Sequence, residues 1–467
     1  MKDFWKFIKS SGIYFVGSVL TKLVSFFLLP LYTSYISPAG YGIYDLYNSY
    51  IMFFCSVLFL DIWMGIMRFM YEHSGEDKKK PINCGMVIFI CSSVLYAGLL
   101  YGMAPLLDID NPLILLACGL LMNVQSLVGY IVRGYGKDLL YAGSGLIGSI
   151  VTTIFNVILL VYCNMDYNAL FVASSIGYVV NIFIMICGLK EPHMFSLKYF
   201  DKKLFKEMLR FSLPLCLNSV AYWFLTSYDR IVVNEVLGPE ANGYYAVAGR
   251  FGSMITLFTG CFHMAWQELA YSKSSNEQEL GKFYTVAINS YIKSMGIGLL
   301  ALIPFIAIIY PVMVNDSYNL GKDLIPIYLL GTILSAIGTF LGHIFSAIKK
   351  NQLQFWTMLA GSIANVLCIH LLIIKLGIQA SNIALSLGFF VLVITRLVFL
   401  RRELCILIES KSIIVIVLLF GLVTYIYQNG SIFANIVVLL FIIILAMLVF
   451  KDFIGTTLNI VLSKIKK

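Results

Sequence analysis

Charge is scarce in this chain. Over 467 residues, Asp, Glu, Lys and Arg together make up 12%, about half of what a water-facing globular surface carries, and that excludes a soluble domain. Long polar loops are missing as well. On the side poor in positive charge the longest connection between hydrophobic runs is residues 311–323, too short to house an extracellular catalytic domain. No Walker loop, nucleophile motif or metal-binding cluster is written anywhere in the chain, so neither an enzyme nor a resident cofactor is expected. The ten cysteines include no C-x-x-C pair. Positions such as Cys55, Cys91, Cys118, Cys187 and Cys368 fall mostly inside apolar runs, where cysteine serves as a small core residue rather than a ligand or a disulfide partner.

What is abundant is apolar: 60% hydrophobic residues and a mean hydropathy of +0.88. A membrane-spanning helix needs about 20 mostly apolar residues. Fourteen segments approach that length: 12–36, 43–70, 83–107, 112–132, 139–162, 168–188, 211–236, 244–270, 283–310, 324–347, 353–376, 380–400, 412–428 and 432–450. The first is longer than a signal-peptide core and lacks a small-x-small cleavage site, so it reads as an uncleaved span. The fold class is an all-α integral membrane protein of about 14 transmembrane helices.

Orientation follows from the basic residues, which cytoplasmic loops retain. With the N-terminus inside, cytoplasmic segments hold 25 of the 33 Lys and Arg, the outside loops hold Lys322 alone, and seven lie within spans. This asymmetry predicts cytoplasmic N- and C-termini. It also accounts for the net charge of +9 through topology, with no need for a nucleic-acid partner.

The chain divides at a polar interruption. Residues 189–210 separate two halves, 1–188 and 211–400, each with six spans, and residues 401–467 add two plain spans and a basic tail. Within the interruption Phe200, Leu204, Met208 and Phe211 share one helical face, whereas Lys202, Lys203, Lys206 and Arg210 lie largely elsewhere. That pattern predicts an amphipathic helix on an anionic membrane surface. The N-terminus, Lys2-Asp3-Phe4-Trp5-Lys6-Phe7-Ile8-Lys9, has the same character. At one constant offset of 201 residues, Pro38 meets Pro239, Gly42 meets Gly243, Tyr44 meets Tyr245, and upstream Phe4 meets Phe205, Ser11 meets Ser212 and Ser18 meets Ser219. Because an even number of spans separates the copies, the repeat is parallel.

This organisation, together with Phe15-Val16-Gly17-Ser18, Ser37-Pro38-Ala39-Gly40-Tyr41-Gly42-Ile43-Tyr44, Arg68-Phe69, Asp229-Arg230-Ile231-Val232 and Leu237-Gly238-Pro239-Glu240-Ala241-Asn242-Gly243-Tyr244-Tyr245, resembles the multidrug/oligosaccharidyl-lipid/polysaccharide flippase superfamily, and within it the polysaccharide-biosynthesis branch. The resemblance covers essentially the whole chain. It implies a MATE-like V of two parallel six-helix lobes with two extra C-terminal helices, rocking between inward-open and outward-open states in the bacterial plasma membrane. It further implies an ATP-independent flippase moving undecaprenyl-pyrophosphate-linked oligosaccharide repeat units to the outer leaflet for capsule, O-antigen or exopolysaccharide assembly. Membrane lipid, glycosyltransferases and a polymerase are then the neighbours. A cation-coupled multidrug or metabolite antiporter of the MATE type is the alternative, and a membrane-embedded polysaccharide polymerase a distant third.

Charges inside spans are functional candidates, since each costs several kcal/mol unless it faces protein or water. A cationic-drug exporter wants cavity carboxylates, whereas a pyrophosphate carrier wants Lys or Arg. Lys22, Arg230, Arg250 and Lys293 stand against Asp45, Asp61, Asp229 and Glu235, and the deepest unpaired groups read as Lys22, Arg250 and Lys293. Lys22 lies roughly 16 Å along the first span and Arg250 roughly 9 Å along the eighth at 1.5 Å per residue; the resemblance implies a cation at this place in span eight. Arg68 joins the substrate-binding set, with snorkelling to the interface as its plainer role. Asp61, two turns from Arg68, and Asp229 are candidates for coupling to H+ or Na+. Tyr41, Tyr44, Tyr47 and Tyr50 recur every third residue as either an interfacial aromatic belt or, for Tyr44 and Tyr47, sugar-stacking platforms. His343 and His370 read as core histidines, and Pro30, Pro214, Pro304 and Pro326 as bends.

Overall fold

The computed structural model describes residues 26–191, 195–272 and 277–451. Every regular element among them is helical, as a chain in lipid must be when its backbone groups are to be satisfied internally. In chain order the helices are α1 (Leu29–Tyr35), α2 (Pro38–Leu58), α3 (Ile62–Met70), α4 (Lys79–Met103), α5 (Pro112–Gly134), α6 (Asp138–Val157), α7 (Asn168–Leu189), α8 (Lys202–Thr226), α9 (Tyr228–Leu237), α10 (Pro239–Ser272), α11 (Glu277–Met313), α12 (Ile325–Ala347), α13 (Asn351–Leu376), α14 (Gln379–Leu404), α15 (Ser410–Asn429) and α16 (Ile432–Val449).

Eleven described helices or helix pairs are long and apolar enough to cross a membrane, or twelve when the bent pair α2–α3 is taken as one span. The expected fourteen are therefore not all seen. Most of the first expected span, residues 12–25, lies outside the described residues, and the eighth is the 34-residue α10, which carries Glu240 and Arg250.

The α2–α3 span bends by 50°. Leu60 and Asp61 both adopt left-handed backbone, φ 53° and 49°, which costs about 1–2 kcal/mol per residue. Neighbouring helices take up carbonyls near the break: Ser92 Oγ donates to Leu58 O at 2.7 Å and Cys216 Sγ to Ser56 O at 3.3 Å. The break is thus supported by α4 and α8.

The amphipathic stretch departs from the surface helix expected of it. Asp201 caps α8 by accepting from the backbone N–H groups of Lys203 and Leu204, and the helix then runs unbroken into its span. Its apolar stripe, Leu204 and Met208, is buried, with Met208 against the start of α4 near Gly85. The connection before it is fastened to the first half: Tyr199 donates to Glu76 at 2.9 Å, Ser196 N–H to Asn83 Oδ1 at 2.7 Å, and Asp201 N–H to Cys84 Sγ at 3.4 Å. We call this the linker end of the molecule and the opposite one the far end.

An extended strap joins α14 to α15. Residues 404–409 lie along one stripe of α11, spaced by four. Leu404 O sits where a Cβ on Gly281 would be 2.3 Å away, Thr285 Oγ1 accepts from Leu407 N–H, Asn289 both donates to Leu407 O and accepts from Glu409 N–H, and Lys293 pairs with Glu409 at 2.6 Å. This polar ladder holds the last two helices to α11. The outward faces of α15 and α16 expose Leu418, Leu422, Phe433, Phe441 and Leu448, as helices facing lipid do.

Candidate functional site

The two halves meet at the far end through the repeated Pro-x-x-x-Gly turns. Ser37 caps α2 by accepting from Gly40 N–H, and Gly238, at φ +87°, turns the chain into α10, so Pro38 and Pro239 each open a helix. The contact is reciprocal. A Cβ on Gly42 would lie 1.8 Å from Pro239 O, and one on Gly243 would lie 1.9 Å from Pro38 O. Only glycine permits this approach. Asn242 Nδ2 seals it with a 2.7 Å bond to Gly42 O.

Immediately inside this seal lie two arginines. Arg230 on α9 donates from Nε to Asp45 on α2 at 2.5 Å and from Nη1 to Thr226 O at 2.7 Å, and its guanidinium lies 5.4 Å from the centre of the Tyr245 ring. The pair is largely buried, with side chains 13% and 18% exposed, so its strength depends on both partners staying in place. Arg250 on α10 is held differently. Its Nε donates to Tyr41 Oη at 2.6 Å, and the rings of Tyr32 and Tyr41 lie 5.9 and 5.8 Å from its guanidinium. Among the described residues no carboxylate comes within ion-pair distance of it. Because α10 begins at Pro239, Arg250 is roughly 16 Å along its helix rather than 9 Å. Aromatic faces and a hydroxyl stabilise the cation without neutralising it.

Next to Arg230, Asp229 is fully buried. Asn365 Nδ2 donates to its Oδ2 at 3.3 Å. Its Oδ1, Asn365 Oδ1 and the Tyr245 hydroxyl are buried without a hydrogen-bond partner. A buried carboxylate with an unsatisfied oxygen of its own and unsatisfied oxygens on two neighbouring side chains has the capacity to take up a proton, a water or a small cation.

The remaining expected residues are dispersed. Lys22 lies outside the described residues. Lys293 is the last rung of the strap ladder, committed to Glu409 rather than free beside Arg250. Arg68 pairs with Glu72 at 3.2 Å with its side chain 60% exposed, at the linker-end terminus of α3 and apart from Arg250. Asp61 forms no pair with Arg68; it sits at the α2–α3 break and accepts from Ser219 Oγ at 2.6 Å. Tyr47 is buried and donates to Asp108 O at 2.7 Å, which leaves no open ring face for a sugar. Tyr44 is half-buried, stacked on Tyr41 and packed on Phe171 at 4.8 Å. With Tyr41, Tyr47 and Tyr50 all buried, the tyrosine run forms an internal wall and not an interfacial belt.

The Asp45–Arg230 pair and the partners Asn365 and Tyr245 escaped sequence reasoning, although depth matching carried a signal. Asp45 lies seven residues after Pro38 and Arg230 seven before Leu237, each about 10 Å from the same end.

The polysaccharide biosynthesis protein family matches residues 7–266. Lsg locus protein 1 of Haemophilus influenzae is 23% identical over 258 residues, 54% of this chain and 63% of that protein, so this chain spans somewhat less than two thirds of that relative's length. Among solved structures, a lipid II flippase MurJ in an inward closed conformation is similar over 96% of this chain and 100% of its own, with TM-score 0.70 and 18% identity. An inward-facing multidrug resistance MATE family transporter of the MOP superfamily is similar over 83% of this chain and 94% of its own, with TM-score 0.66 and 15% identity. A MOP superfamily transporter from Pyrococcus furiosus, described as having a binding pocket of reverse polarity, is similar over 85% of this chain and 96% of its own, with TM-score 0.60 and 16% identity.

Proposed function

The chain belongs to the polysaccharide biosynthesis protein family, and on that premise we propose that it is a flippase carrying a lipid-linked oligosaccharide, joined through pyrophosphate to a polyprenyl tail, from the cytoplasmic to the outer leaflet of a bacterial plasma membrane. The linker end faces the cytoplasm, as the basic residues require. Two parallel six-helix lobes rock so that the α2–α10 contact forms and parts, and the closed glycine seal corresponds to a state shut towards the outside.

The observation that carries this reading is Arg250. It is a cation deep in its span, beside the contact between the halves, with aromatic rings and a hydroxyl about it and, among the described residues, no carboxylate within ion-pair distance. Asp45 is paired with Arg230, and neither Asp61, which accepts from Ser219, nor Asp229, which accepts from Asn365, pairs with Arg250, so the charge presented at Arg250 itself is positive. That polarity suits an anionic pyrophosphate and not a cationic drug. A planar guanidinium offers paired donors to phosphate oxygens, and its attraction grows as the site excludes water. Lys22 is the second proposed cation. Asp229 is the proposed coupling site for H+ or Na+.

The test is export in a strain whose own flippase has been deleted. Arg250→Ala is expected to abolish polysaccharide export at normal protein level in the membrane, and Arg250→Lys to restore part of it. Wild-type export by Arg250→Ala would overturn the proposal.

A further inference from the structure

Asp229 and Arg230 are consecutive residues, yet they serve different halves of the molecule. Asp229 is enclosed by Asn365 of α13 and Tyr245 of α10, both in the second half. Arg230 reaches across to Asp45 of α2, in the first half. One side chain lies near both: Tyr245 is fully buried, with its unpartnered hydroxyl in the neighbourhood of the Asp229 carboxylate and its ring beneath the Arg230 guanidinium. Two residues before it on α10 is Gly243, half of the far-end seal. A single arginine therefore stands between a buried carboxylate of the second half and a partly buried one of the first, with a buried tyrosine against it.

We propose that Tyr245 and Arg230 are positioning residues that transmit the ionic state of Asp229 to the far-end seal. This rests on the reading of Asp229 as the coupling site. When Asp229 carries a proton or a sodium ion its charge is cancelled, Arg230 belongs to Asp45 alone, and the pair clamps α2 to α9 beneath the seal. When the proton or sodium ion leaves for the aqueous phase, Asp229 becomes a second anion competing for the same guanidinium. The crossing bond to Asp45 weakens and the seal is released. The tyrosine hydroxyl, without a hydrogen-bond partner in this structure, is the physical link: an ionised Asp229 offers it a stronger acceptor than a neutral one does, and forming that bond draws the ring and the guanidinium resting on it towards α13. The charged and titratable groups near Asp229 are Arg230 and Tyr228 on α9, Tyr245 on α10, Tyr328 on α12 and Cys368 on α13, while Asp45 faces Arg230 across the junction. Of these only Arg230 is a cation, so it alone can respond to the new negative charge by attraction.

The experiment measures the opening of the far end in full-length protein. Spin labels at Leu106→Cys and Leu320→Cys, 78% and 68% exposed at the far end of the two halves, report the distance between them by pulsed electron paramagnetic resonance. The protein, with its native cysteines replaced, is reconstituted in lipid nanodiscs and titrated with protons at fixed sodium and with sodium at fixed pH. With Asp229 intact, withdrawing the active ion shifts the equilibrium towards the long distance by roughly fivefold or more, the lower end of ordinary coupling factors. Asp229→Asn remains short throughout. Tyr245→Phe, which keeps the ring and loses only the hydroxyl, cuts the ion response to about one, and Asp45→Asn gives the long distance at every ion concentration. A full ion response in Tyr245→Phe, or in Asp45→Asn should the first variant not fold, overturns the relay while leaving the coupling site in place. A full response in Asp229→Asn overturns the coupling reading itself.

Discussion

Gly42→Ala tests how the far end closes. The added Cβ would lie 1.8 Å from Pro239 O and 2.7 Å from Gly243 N. Both are backbone atoms at the start of a helix and cannot rotate away as a side-chain tip would. Since Cβ contacts below 3.0 Å are essentially never seen, the starts of α2 and α10 must separate by at least about 1.2 Å, an overpacking that ordinarily costs about 1–3 kcal/mol. That separation also strains the 2.7 Å bond from Asn242 to Gly42 O, worth about 0.5–1.5 kcal/mol. The whole penalty falls on the sealed state, because the contact exists only there. A bias of about 1.5–4.5 kcal/mol multiplies the population open at the far end by about ten to about two thousand relative to the sealed one. The spin-label pair at Leu106→Cys and Leu320→Cys reads this directly as growth of the long-distance component, and export slows because the transporter is held on one side of its cycle. Gly243→Ala acts on the same contact, so the double variant falls short of the sum of the two. A Gly42→Ala protein with an unchanged distance distribution and normal export would refute the reasoning.

Other outcomes follow from the same geometry. Asn289→Ala removes both side-chain bonds to the strap and is expected to lower stability by about 1–3 kcal/mol, read as a drop in melting temperature and as faster proteolysis near residue 405. Lys293→Glu weakens strap docking only slightly, since the pair is partly exposed, and the swap Lys293→Glu with Glu409→Lys restores it; loss of export with intact docking would return Lys293 to the substrate path. The hydrogen bond and charge of Lys293 hold the Glu409 carboxyl below its ordinary value. Its contribution is therefore fully present above the unfolded carboxyl value and fades as pH falls through the lowered one, so proteolysis of the strap should accelerate only in acid. Impermeant maleimide applied from outside is expected to label cysteines placed in residues 311–323 and to miss those in 195–201; reversed labelling would invert the direction of transport.

Composition and hydropathy determined that this is a helical membrane protein, because each of those signals is a sum over many residues that no single contact can reverse. The constant offset also pointed to Pro38, Gly42, Pro239 and Gly243, since a turn that must open a helix and admit another backbone accepts few residue types. That those four residues touch one another reciprocally could be seen only in three dimensions. Partnership among the buried charges was likewise decided by tertiary structure. Arg230 sits beside Asp229 in the chain, yet a helix directs adjacent side chains about 100° apart, and the partner it meets is Asp45, 185 residues away. Lys293 has the depth of a cavity cation, but it falls on the stripe Gly281, Thr285, Asn289 of α11, where the strap brings Glu409 to it. Tyr44 and Tyr47 share a spacing and separate in role because one rests on Phe171 and the other reaches Asp108. The chain records how deep a charge lies in its span. Which neighbour neutralises it depends on the rotation of each helix about its axis, and that is set by packing against every other helix at once.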